Sequence, residues 1–125
     1  MNAPRLYICT ADLASACQRQ VALFKGTFKS GRAKITVRNM ARARAAGLDT
    51  LWLECLLPKR SRDGVYRGMD LAWDGYCRAL TRARNKCIAG AMTEAERRRA
   101  TLKALANHDR AQDAALISAL TGGAK

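Results

Sequence analysis

Five cysteines and one histidine carry the widest chemical range in this chain, and their spacing restricts what they can do. Cys9, Cys17, Cys55, Cys77 and Cys87 contain no C-x-x-C pair, and His108 is the sole imidazole. Zinc sites need clustered Cys and His ligands, and none is visible, so the sequence predicts no metal and no other cofactor. A thiol nucleophile needs a base within hydrogen-bond reach, and His108 is the one base on offer. Glu54 is the single acid inside an apolar stretch, with no partner acid spaced for general acid–base work. There is no glycine-rich phosphate loop and no G-x-S-x-G elbow. A non-catalytic protein is expected. Cys17, Cys55, Cys77 and Cys87 fall within apolar helical patterns, which predicts buried reduced thiols and a cytoplasmic setting. No secretory leader is read, and no apolar run approaches the ~20 residues of a membrane helix, so a membrane is not an expected partner.

Charge offers a second kind of chemistry. Lys plus Arg number 23 against 10 Asp plus Glu, a net +13. Residues 1–63 hold 12 basic and 4 acidic groups and residues 64–125 hold 11 and 6, so the excess is spread through the fold and is not a tail. Such a surface attracts polyanions or acidic proteins. Arg78, Arg82 and Lys86 recur every four residues, which aligns them on one helix face. Arg97, Arg98, Arg99 and Lys103 follow at the start of the next helix, near the same hairpin tip, and Lys59, Arg60 and Arg62 lie in a polar stretch before it. These groups are the candidate contacts for phosphates. Arg38 and Arg42, with Arg44, form a second basic candidate surface on an earlier helix. Arg84 falls on the apolar side of its helix, where its head could reach an acid such as Glu54. The aromatics Phe24, Phe28, Trp52, Tyr66, Trp73 and Tyr76 fall on apolar stripes and are expected in the core. The expected partner is therefore a nucleic acid, a nucleoprotein or an acidic protein complex.

The elements that must position these groups are helical. Leu, Ile, Val and Phe together number 23 of 125, a thin core, but 24 alanines favour closely packed helices. One domain is expected over 1–125, all-α, with five to six helices. An N-terminal three-helix unit (1–58) is followed by a linker (59–64) and a long antiparallel helical hairpin (65–120). Leu13, Cys17, Val21, Phe24 and Phe28 predict a first helix over 11–29. Thr36 caps a second, over 37–46, which Gly47 ends. Asp49 or Thr50 caps a third, over 51–57, apolar nearly all round and expected to be the most buried, with Pro58 as its stop. The pair of helices fits helix-turn-helix spacing, but its second member lacks the polar exposed face that base reading requires. Tyr66, Met69, Trp73, Tyr76, Cys77, Leu80, Cys87 and Ala91 line one side of a fourth helix, over 65–91. Thr93-x-x-Glu96 is a capping box that opens a fifth. Asp109 and Asp113 would sit on the apolar stripe of an unbroken fifth helix, so a break is expected near Asn107-His108-Asp109. Residues 4–9 read as a short strand or an ordered arm. Ala33–Val37 is the one other strand candidate, and so small a sheet is not expected.

Between Cys17 and Pro58 the chain carries Cys17-x-x-Gln20-Val21-x-x-Phe24-x-x-x-Phe28, then Thr36-x-x-Asn39, then Ala46-Gly47-Leu48-Asp49-x-x-Trp52-Leu53-x-x-x-Leu57-Pro58. This string resembles a group of short accessory proteins of proteobacterial phages and prophages. About a third of the chain matches well. Tyr66, Trp73 and Tyr76 echo the group's later helices without their tandem repetition. The resemblance implies an origin in a mobile element and a host bacterial cytoplasm. It favours host-takeover or anti-defence roles, including inhibition of a host defence complex as by anti-CRISPR proteins, and it transfers no site residues.

Overall fold

The computed structural model describes residues 5–122. Residues 1–4 and 123–125, and with them the first position of the predicted 4–9 strand or arm, lie outside the described residues. The chain is all-α apart from one small ribbon. The described residues divide into two compact units, one lying within 1–65 and 113–125, the other spanning 66–112.

In the first unit, strand β1 (Tyr7–Cys9) pairs antiparallel with β2 (Arg32–Lys34), in the register Tyr7↔Lys34, Ile8↔Ala33, Cys9↔Arg32. The ribbon that the sequence weighed against therefore forms. Its reason is burial: Ile8 and Ala33 point inward to the core, and two short strands suffice when one face is covered. The predicted first helix is split. Thr10–Leu13 is a 3-10 turn, and helix α1 covers only Gln18–Thr27. The Asp12 carboxylate accepts from the Cys9 amide at 2.8 Å, and the Ala16 amide donates to the Leu13 carbonyl at 2.9 Å, closing the chain into a turn before α1. Leu13, Phe24 and Phe28 are buried as their spacing predicts, whereas Cys17 is exposed.

Helix α2 (Val37–Ala45) starts where Thr36 accepts from the Asn39 amide at 3.1 Å and ends before Gly47, at φ 92°. Asp49 caps the next element, accepting from the Leu51 amide at 3.1 Å. That element, Thr50–Leu56, is a 3-10 helix and not the most buried part of the fold. Its apolar residues are mostly half-buried, and Leu57 just beyond it is the buried one. With 3-10 geometry, side chains three apart eclipse, so one face carries the packing and the rest stays partly open.

The expected linker is helical. Helix α3 runs Lys59–Ile88, and the Arg62 amide donates to the Pro58 carbonyl at 3.0 Å. Pro58 opens this helix as much as it closes the one before, because a helix start needs no N–H from its first residue. Helix α4 (Glu94–Leu120) is continuous through Asn107-His108-Asp109. Eight alanines in it offset the small propensity losses of Asn, His and Asp. Of the two acids that favoured a break, Asp113 is 5% exposed and bonds Arg44 of α2, which offsets the cost of placing it inside. The same stretch of α4 buries Leu116 and Leu120 in the first unit, Leu116 completely.

Candidate functional site

The second unit holds most of the cations singled out above. Its two helical segments, from α3 and α4, pack as an antiparallel pair. The turn between them is closed at Gly90, φ 76°. The Gly90 amide donates to the Cys87 carbonyl at 3.1 Å, and the Ala91 amide donates to the Lys86 carbonyl at 2.9 Å. These two bonds form the Schellman pattern, which satisfies the last carbonyls of α3. The capping box then forms as predicted. The Glu96 amide donates to the Thr93 hydroxyl and the Thr93 amide donates to the Glu96 carboxylate, each at 3.1 Å. Hydrogen bonding from the Thr93 amide, followed by that from the Thr93 side chain, holds the Glu96 carboxyl below its ordinary range.

Side chains within this pair are mostly open to solvent. Ala83 and Ala104 are its two buried residues. Arg78, Arg82 and Lys86 are all exposed, as are Arg97, Arg98, Arg99 and Lys103. Arg78 lies 3.6 Å from Asp74 and Arg97 lies 2.7 Å from Glu94. Both pairs are well exposed and contribute little to stability. Arg84 is exposed as well, not held inside. Arg110, also exposed, was missed: it stands seven residues beyond Lys103, two turns along the same helix face.

The aromatics of this unit are not core. Trp73 is 56% exposed and Tyr66 41%, while Tyr76 is half-buried. Trp73, Tyr76 and His108 form one cluster, with ring centroids 5.4 to 5.9 Å apart. Cys87 faces a different neighbour. Its thiol donates to Glu94 at 3.3 Å, and that bond, ahead of desolvation, pushes the thiol pKa upward. The same bond, followed by the charge of Arg97, lowers Glu94. Cys87 is thus held as a thiol, the opposite of an activated nucleophile.

In the first unit the predicted residues separate. Lys59 and Arg60 are exposed on the first turn of α3, and Arg62 is half-buried. On α2, Arg38 and Arg42 are exposed. Arg42 donates to the Thr27 carbonyl at 3.0 Å and lies 5.0 Å from the Phe28 ring centroid. Arg44 turns inward to Asp113 and Thr50, so it leaves the basic surface expected on this helix. The thiols are not buried: Cys17 and Cys55 are exposed, and Cys9, Cys77 and Cys87 are half-buried. An apolar cleft of about 70 Å³ is lined by Phe24, Phe28, Met40 and Trp52 among others. It is about half the volume of a cavity known to hold benzene.

Among the described residues, no three of His, Cys, Asp and Glu converge as metal ligands. Nor is any helix among them long and apolar enough to cross a membrane. No family model, no curated protein and no solved structure matches the chain.

Proposed function

We propose that the protein is a non-catalytic, basic accessory protein that binds nucleic acid, or a nucleoprotein, through the cationic faces of the α3–α4 pair. The observation that carries this is the exposure of Arg78, Arg82, Lys86, Arg98, Arg99 and Lys103 in a chain of net +13. A helix face with cations every turn meets phosphates along a strand without reading base identity. The test is binding of the full chain to DNA and RNA across a salt series. Affinity should fall steeply with salt. Replacing Arg82, Lys86, Arg99 and Lys103 together by Gln should reduce the log–log salt slope by about 0.7–0.9 for each phosphate that is no longer neutralised. Absence of binding at ~50 mM salt would refute the proposal.

A second reading is favoured by one observation. Leu71 (72%), Ile88 (74%) and Leu102 (66%) are exposed in the same unit as these cations. Phosphates have no use for apolar side chains, whereas protein interfaces do. On this reading the pair docks on an acidic protein, as an inhibitor of a host defence complex would. A pull-down after nuclease treatment separates the two. Complete loss of captured protein with the nucleic acid removes the second reading.

A further inference from the structure

The ribbon of the first unit has an outward face of its own, remote in sequence from α3 and α4. Ile8 and Ala33 point into the core, so the alternation of a strand turns their neighbours outward. Those neighbours are Tyr7, Cys9, Arg32 and Lys34. Tyr7 is 39% exposed, and both cations of β2 are exposed. The Arg32 guanidinium carbon lies 4.3 Å from the centre of the Tyr7 ring. Lys34 is the direct cross-strand partner of Tyr7. An aromatic ring, a guanidinium laid on it and an ammonium beside it thus share one small surface.

The surrounding charge is unmixed. Residues 13–48 contain eight cations and no acid. Lys29, Arg32, Lys34 and Arg38 are exposed within nine positions of one another. The acid just before this stretch, Asp12, is already held by Arg5 at 2.8 Å and by the Cys9 amide at 2.8 Å. In the α3–α4 pair, by contrast, Arg78 and Arg97 have carboxylates at hand. The ribbon is therefore the more purely cationic of the two surfaces.

We propose that the outward face of the β1–β2 ribbon is a separate contact site for single-stranded nucleic acid, with one unpaired base stacked at Tyr7–Arg32 and the flanking phosphates met by Lys34, Lys29 and Arg38. Stacking on an aromatic ring needs a base whose face is free, which a single strand supplies and a duplex withholds. Strands of three residues reach about 10 Å, too short to follow a duplex groove. The site consists only of first-unit residues and does not depend on the α3–α4 surface.

The experiment uses the full chain at ~50 mM salt, with a labelled oligothymidylate, a duplex of equal charge and inorganic polyphosphate as ligands. Tyr7→Leu keeps apolar bulk on the strand and removes the ring. It should weaken oligothymidylate binding about 5- to 100-fold and leave duplex and polyphosphate binding unchanged. Tyr7→Phe should bind like the unsubstituted chain, which guards against a folding artefact. Arg32→Gln with Lys34→Gln should weaken single-strand binding and lower its salt slope by about 0.7, for the one phosphate met by Lys34. The proposal is overturned if Tyr7→Leu leaves single-strand affinity unchanged, if it weakens all three ligands equally, or if oligothymidylate does not bind at all. Loss of binding in the α3–α4 variant alone, with Tyr7→Leu silent, would support the other surface and refute this one.

Discussion

Asp113 ties α4 to α2 within the first unit. It comes from α4, is nearly buried, and bonds Arg44 of α2, whose guanidinium also reaches the Thr50 hydroxyl at 3.2 Å. Removing one partner of a hydrogen-bonded buried charge leaves the other with a desolvation cost. Asp113→Ala should lower the unfolding free energy by about 2 kcal/mol, in the range for hydrogen bonds to charged groups. The partial exposure of Arg44, 32% of its side chain, keeps the loss from being larger. Asp74→Ala breaks an ion pair whose side chains are 72% and 69% exposed, and should leave the urea midpoint unchanged. If both variants lose equally, the Arg44–Asp113 bond is not a stabilising contact. At this scale the sequence was legible in its caps and opaque in its charges. Thr36, Asp49, Thr93 and Glu96 act on amides two or three residues away, so spacing alone identifies them. Asp113 acts across 69 positions, and nothing local distinguishes a paired buried acid from a helix breaker.

Elements were legible where the governing signal is local. The α2 boundaries, the hairpin turn and the start of α4 follow from hydroxyl caps and glycines. The ribbon was not, because a three-residue strand has no periodicity of its own and exists only through a partner more than twenty residues away. The site was legible in which cations align, since 100° per residue fixes that. Their surroundings were not. Periodicity assigns Trp73 and Arg84 to an apolar side, but it cannot say that only one neighbouring helix covers that side within the unit. Two turns give a direct test. Gly90 and Gly31 both hold φ 76°, a conformation that costs a residue with a Cβ about 1–2 kcal/mol. A Cβ at Gly90 meets nothing within 4 Å, whereas one at Gly31 would stand 3.1 Å from the Thr10 hydroxyl oxygen. Gly90→Ala should therefore cost about 1 kcal/mol, the backbone cost alone. Gly31→Ala should cost more, because the Gly31 carbonyl also accepts from the Thr10 amide and hydroxyl at 2.9 and 3.1 Å. Equal costs in thermal melts would show that the Thr10 contact yields freely.

At the scale of the whole molecule, +13 charges on 125 residues repel one another. Salt screens that repulsion within about 10 Å at 0.1 M. Raising sodium chloride from ~20 to ~200 mM should raise Tm by about 4 °C or more. A fall in Tm would mean that attractive pairs such as Arg5–Asp12 outweigh the repulsion. The same salt weakens phosphate binding, so stability and affinity should move in opposite directions along one titration. The two units also differ in how they are held. The first buries Ile8, Phe24, Phe28, Met40 and Leu116, and the second buries two alanines. Each unit carries one tryptophan, Trp52 half-buried in the first and Trp73 largely exposed in the second. The chain therefore holds a separate fluorescent reporter in each half. The indole of Trp52 sits beside an apolar cleft and should emit to the blue of Trp73, whose spectrum should resemble that of water-exposed indole. With either one replaced by Phe, the remaining emission follows the melting of one unit, and oligonucleotide quenching can be assigned to the surface that carries it.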